Sequence, residues 1–154
     1  MQEEITPSSL ASILDGSGSE KERAIIQRVR YTFTNPATQF LEAYLLARKW
    51  QTRASCIYYS FRYARTDPAA LELGIKALND RSWPVRYRAC MLLAIAQDKA
   101  ALSHLRNLLE TTTTARTKED ALAAINAIEQ ENVHLFVDRD NSGKSKLKIQ
   151  GITD

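Results

Sequence analysis

The sequence predicts an all-α protein, a solenoid of about four stacked helix pairs with a short C-terminal hairpin or tail, and two observations carry the prediction. The phrase Asp67-Pro68-Ala69-Ala70-Leu71 returns as Asp98-Lys99-Ala100-Ala101-Leu102, and Asn35-Pro36-Ala37 precedes both, so similar helix starts recur at spacings of 32 and 31 residues. Between these starts the apolar residues fall three or four apart, which is the period of a helix and not the alternation of a strand. Units of this kind cannot bury their apolar faces alone; stacking them creates a continuous core and a long open surface.

The elements follow in order from their punctuation. Thr6-Pro7 starts a short helix through Leu14, and Asp15-Gly16-Ser17-Gly18 breaks it. Ser19-Glu20-Lys21-Glu22 has the form of a capping box, with Glu22 reaching back to the start of a helix that carries Ala24, Ile25, Val29 and Phe33. Asn35-Pro36 and Asp67-Pro68 each place a capping oxygen before a proline whose fixed φ suits the first helical position. Between them, residues 52 to 65 present Ala54, Ile57, Phe61 and Ala64 on one helical stripe. The next helix runs from Ser82 to about Ala96, burying Val85, Ala89, Leu92, Leu93 and Ala96. Asp98 caps a helix bearing Leu102, Leu105, Leu108 and Leu109; after the polar turn Thr111 to Thr114, a last helix carries Ala121, Leu122, Ile125 and Ile128. Seven or eight helices result.

Composition excludes several classes. A chain of 154 residues, 44% hydrophobic and 25% charged, is long enough for one domain with a core. No apolar run approaches the roughly 18 to 20 residues of a membrane span, and the start Met-Gln-Glu-Glu is acidic where a secretory signal is basic. A cytoplasmic protein is expected. Cys56 and Cys90 lie 34 residues apart among apolar and aromatic neighbours, which reads as core thiols rather than a disulfide or metal pair. His104 and His134 are too far apart to suggest a ligand pair, and neither a zinc motif nor a phosphate loop is present, so no metal and no cofactor is expected.

The run Asp80-Arg81-Ser82-Trp83-Pro84-Val85-Arg86-Tyr87-Arg88-Ala89, followed by Leu92 and Leu93, resembles the second half of a HEAT or HEAT-like repeat. Lys118 and Ala121 fall in the register of Arg86 and Ala89 one unit later, and Arg53 and Cys56 one unit earlier. The unit is shorter than the roughly 40 residues usual for HEAT repeats, like the compact HEAT-like type of small bacterial proteins and phycobilin lyase relatives. The resemblance covers residues 35 to 134 and implies a right-handed α-α superhelix that serves as a binding scaffold. It also implies that Asp80 and Arg86 are structural, linking neighbouring repeats. HEAT-like arrays include DNA glycosylases, for which Trp50, Trp83 and Asp80 would be the residues to line a cleft. Those arrays are longer, and Trp83 directly before Pro84 has a simpler reading as a helix-start staple. No residue singles out a bilin, no triad-like motif occurs, and a non-enzyme without catalytic residues is expected.

Charge is unevenly placed. Residues 21 to 65 contain nine Lys or Arg and two acids, whereas residues 1 to 20 hold four acids and no base. The basic stretch is interleaved with Tyr31, Tyr44, Trp50, Tyr58, Tyr59 and Tyr63, the mixture of cations and π faces used against acidic proteins or nucleic acid. If residues 52 to 65 form one helix, Ser55, Tyr58, Tyr59, Arg62 and Arg65 lie opposite or beside its apolar stripe. The candidate partner-binding residues are therefore Arg48, Lys49, Trp50, Arg53, Tyr58, Tyr59, Arg62 and Arg65. The competing reading has the tyrosines padding an inter-repeat seam with the arginines laid over them.

Residues 1–134 are expected to form the repeat domain, with the order of residues 1–18 left open, and residues 135–154 a C-terminal hairpin or tail that caps the last pair. Val137-Asp138-Arg139-Asp140-Asn141-Ser142-Gly143-Lys144 resembles the first half of a calcium loop. The second half fails, because Ile149 stands where a glutamate is needed and Lys144, Lys146 and Lys148 repel a cation. The function expected is non-enzymatic recognition of a protein partner, as in a bacterial immunity protein or adaptor. The alternative is a nucleic-acid binder that uses the basic, tyrosine-rich stretch of residues 21–65.

Overall fold

The computed structural model describes residues 3–153, and among these it contains eight α-helices and no strand. They are α1 (Pro7–Ile13), α2 (Glu20–Thr32), α3 (Pro36–Leu46), α4 (Trp50–Tyr58), α5 (Pro68–Ala77), α6 (Trp83–Ala96), α7 (Leu102–Thr111) and α8 (Ala115–Glu129). Three pairs, α3/α4, α5/α6 and α7/α8, stack so that α4, α6 and α8 form one row and α3 packs on α5. Helix α1 lies against α3, with Leu10 and Leu14 fully buried, so the N-terminal segment from Ile5 onward is built into the core. Met1 and Gln2 lie outside the described residues.

The core is a single cluster in which large side chains such as Phe40, Ile57, Leu73, Leu92, Leu93 and Phe136 alternate with alanines along the helix contacts. Small residues let backbones approach. Gly74 of α5 is the extreme case, since a Cβ there would lie 2.7 Å from Leu93 Cδ2.

One carboxylate starts two helices. Asp67 Oδ1 accepts from the Ala69 amide at 3.0 Å, capping its own helix α5, while Oδ2 accepts from the Ala37 amide of α3 at 3.1 Å. Asn35, expected to cap α3 itself, makes no side-chain cap bond, because the neighbouring repeat supplies the acceptor. At α2, Ser19 Oγ accepts from Glu22 N as the capping box requires, but the Glu22 carboxylate does not return to Ser19. It is buried, and accepts instead from the amides of Asp15 and Gly16 and from the Tyr59 hydroxyl at 2.8 Å, pinning the α1–α2 turn and the end of α4 together.

The expected helix over residues 52 to 65 breaks after Tyr58. The Ser60 hydroxyl takes the Cys56 carbonyl at 2.7 Å, and the Ser60 amide turns to Ile57 O, which ends the ladder in favour of a 3₁₀ turn at Phe61–Tyr63. Ile57, Phe61 and Ala64 remain buried nonetheless. Two positions read as apolar-face residues are exposed, Ala24 on α2 and Leu122 on α8, where Ala123, Ala124 and Ala127 face inward instead.

Past α8 the chain forms a 3₁₀ turn, Val133–Phe136, rather than a β-hairpin. Phe136 is fully buried, its ring 5.6 Å from that of Tyr87, so the C-terminal segment is packed onto α6 as well as α8. Asp138 then organises a loop, accepting from the Ser142 amide and hydroxyl and from Gly143 N. Further on, the Leu147 amide donates to His134 Nδ1 and the Leu147 side chain is buried.

Candidate protein-binding surface

The row α4, α6, α8 begins at one edge of the molecule, and three residues there repeat at intervals of 33: Trp50, Trp83 and Arg116. Trp50 and Trp83 are each the first residue of a helix whose N-cap side chain makes no capping bond. Both rings are substantially exposed, at 43% and 44%. They line a cleft of about 650 Å³ together with Ser82, Pro84, Tyr87 and Arg88. Trp83 and Tyr87 also line an adjoining cleft with Arg116, Glu119, Asp120 and Arg139. The Arg116 guanidinium lies 3.8 Å from the centre of the Trp83 ring, within cation–π range. Arg48, Lys49 and Arg81, in the turns that precede α4 and α6, are exposed beside it.

Beneath this edge an ion pair fastens two repeats. Asp80, in the α5–α6 turn, accepts from Arg53 Nε at 2.8 Å and Nη2 at 3.1 Å, from the Tyr44 hydroxyl at 2.8 Å and from the Ser82 amide at 2.9 Å. Arg53 also donates through Nη1 to the carbonyls of Arg48 and Ala47 at the end of α3. Burial pushes the Asp80 carboxyl up, but its bonds from Arg53, Ser82 N and Tyr44 outweigh that and hold it below the ordinary aspartate value. Burial and the bond to Asp80 raise the Tyr44 phenol, and the bond to Asp80 raises the Arg53 guanidinium. One unit on, Arg86 meets no carboxylate. The α7–α8 turn carries threonines and no acid, and Arg86 instead donates to Thr117 Oγ1, in the first turn of α8, and to the Asp80 carbonyl.

The eight candidate binding residues therefore separate into four places. Arg48, Lys49 and Trp50 sit at the exposed edge. Arg53 is buried against Asp80 and is withdrawn from any surface. Tyr58, Tyr59 and Arg62 lie at the opposite end of α4, lining a second cleft with Ile26, Arg30 and residues 148 to 150 of the tail. There Tyr58 is exposed with the Arg88 guanidinium 5.1 Å from its ring, while Tyr59 is tied to Glu22. Arg65 turns back to the Ile95 carbonyl at the end of α6, a favourable place for a cation. Of the face expected from a continuous helix, Tyr58, Tyr59 and Arg62 stay together on the second cleft, whereas Ser55 is buried and Arg65, beyond the break, turns away to Ile95. Trp83 and Arg116, which the site reading left out, were detectable as the register partners of Trp50.

No group of three or more His, Cys, Asp or Glu able to hold a metal occurs among the described residues. Both cysteines are free and buried; burial pushes the Cys56 thiol up to about 12 and raises that of Cys90 as well. No helix among the described residues is long and apolar enough to cross a membrane.

No curated protein and no solved structure matches the chain. Residues 38–126, more than half of its length, match the family of HEAT repeats, from the first turn of α3 to the last turn of α8. With its repeating helix pairs, its stacked row of second helices and this match, the chain belongs to the HEAT-repeat family.

Proposed function

We propose that this chain is a non-enzymatic binding module that acts by holding a protein partner, in the manner of a bacterial immunity protein or adaptor. HEAT repeats generally mediate protein–protein interaction, and the family is typically a scaffold without catalytic machinery. The observation that carries the reading is the edge formed by Trp50, Trp83 and Tyr87. Two tryptophan rings stand open there beside the half-buried Tyr87 and the exposed cations Arg48, Lys49, Arg81 and Arg116, above the buried Arg53–Asp80 pair that ties the two repeats together. Tryptophan, tyrosine and arginine are the usual anchors of protein interfaces. Asp80, by contrast, has both carboxylate oxygens committed to protein donors, which argues against a catalytic use of that group.

The test is a tagged pull-down of the full chain from cell extract, with and without nuclease, read by mass spectrometry. Capture of one stoichiometric protein that survives nuclease supports the module reading. Capture of nuclease-sensitive material alone, with an affinity that collapses between about 50 and 200 mM salt, overturns it in favour of nucleic acid.

A further inference from the structure

The two tryptophans of the chain stand side by side on one cleft, and the charge around that cleft is one-sided. Of the carboxylates nearby, Asp80 is neutralised by Arg53 and Asp120 by Arg139 at 2.9 Å. Among the described residues lining the two adjoining clefts, Glu119 is the carboxylate left without an arginine. Against it stand the exposed side chains of Arg48, Lys49, Arg81 and Arg116.

Resting on the reading of the chain as a protein-binding module, we infer that the Trp50–Trp83 cleft receives an apolar side chain from an acidic, extended segment of the partner. Its carboxylates lie along Lys49, Arg81 and Arg116. Charge complementarity selects the acidic segment, since a basic one would face like charge on both rims. The apolar cleft between those rims selects a peptide over a phosphate backbone, which needs a continuous line of cations rather than an interrupted one. Geometry sets the length. Packed helices lie about 8–10 Å apart, so the path from Trp50 across Trp83 to Arg116 covers two such steps, roughly 20 Å. An extended chain at about 3.3 Å per residue crosses that distance in about six residues.

Because both tryptophans of the chain belong to the cleft, their two indole N–H resonances report on it directly. The full chain is first used to select from a random short-peptide library, and the best peptide is then titrated against labelled protein. The expected selection is rich in Asp and Glu around one aromatic or branched apolar residue, and both indole resonances shift saturably. Lys49→Glu combined with Arg81→Glu, at exposed positions that leave the core intact, weakens the peptide by about tenfold or more, as does Trp83→Ala. Selection of peptides without acids, no selection at all, unmoved indole resonances or undiminished affinity in both variants overturns the inference. So does a single-stranded oligonucleotide that shifts the indoles where no peptide does. A partner from the pull-down that binds the Trp50→Ala, Trp83→Ala protein as tightly as the unaltered chain sinks this inference alone and leaves the module reading standing.

Discussion

Arg53 and Asp80, 27 residues apart in the chain, meet through two nitrogens and two oxygens at 2.8 and 3.1 Å, with their side chains 7% and 4% exposed. The pair fixes the α3–α4 turn relative to the α5–α6 turn, and so fixes the distance between Trp50 and Trp83. Removing one member strands the other. Asp80→Ala is expected to cost about 3–5 kcal/mol, because it leaves a buried guanidinium and the Tyr44 hydroxyl without their acceptor. Arg53→Met combined with Asp80→Asn should recover most of that loss. Denaturant unfolding of both variants checks the point, and a double variant as unstable as Asp80→Ala would refute it.

The same pair gives the fold an acid limit. Asp80 is held below its ordinary value, as is Asp138 by the Ser142 hydroxyl, so both stabilise the fold fully above the unfolded aspartate value of about 3.9. That contribution is lost as pH falls through the lower folded values. Asp120 acts in the opposite sense. Burial raises its carboxyl, so its contribution grows as pH falls towards the ordinary value and offsets part of the early loss. The melting temperature is expected to drop below about pH 4, with a shallower acid limb in Asp80→Asn. Parallel limbs in the two proteins would show that the proton is taken elsewhere.

Gly74→Ala should destabilise the protein although it improves helix propensity. Propensity favours alanine by up to about 1 kcal/mol, but overpacking a core typically costs about 1–3 kcal/mol. The new Cβ meets Leu93 Cδ2 at 2.7 Å and Cγ at 3.1 Å, and Leu93 is itself fully buried with nowhere to move. A net loss of about 1 kcal/mol corresponds to roughly 2–4 °C in Tm for a chain of this size. An equal or higher Tm would mean that α5 and α6 separate without penalty.

Neither cysteine should react in the folded state. Thiolates are the reactive form, and burial raises both thiols while excluding the reagent. A thiol-reactive chromogenic disulfide is expected to find no thiol in native protein and 2 in denaturant. Fast labelling of the native chain would place a thiol at the surface.

Phe136→Ala tests the C-terminal segment. The ring is fully buried against Tyr87 with the Arg139 guanidinium 5.0 Å away, and its loss should cost about 3–5 kcal/mol. Deleting residues 137–154 should also lower the melting temperature, because it removes the buried Leu147 side chain and takes Arg139 away from the buried Asp120 carboxylate. If deletion left the melt unchanged, the segment would not serve as a cap.

The repeat was legible because helix period and N-capping act over a few residues. Asp67, Pro36 and Pro68 mark helix starts that the structure contains, Asp98 caps a 3₁₀ turn, Lys99–Ala101, that leads into α7 rather than α7 itself, and Ala54, Ile57, Leu92, Leu93 and Leu105 are core positions read from spacing alone. The partner of a buried charge is not a local property. Repeat register sets Arg53 in line with Arg86, but no residue near it in the chain shows that Arg53 is buried while Arg48 is exposed, because the difference is made by Asp80 in the next repeat.

The sequence by itself determined the all-helical class, the repeat length and the excess of cations over acids in the first half. Tertiary structure decided which of those cations remain free. Stacking brings Asp80 onto Arg53 and Asp67 onto the start of α3, which buries those groups, and it turns the exposed Arg65 onto the Ile95 carbonyl. It also aligns Trp50 with Trp83 across a helix contact, turning a 33-residue interval into an open cleft. The physical reason is that a buried charge must find a partner or a dipole, and in a stacked array that partner comes from the neighbouring unit.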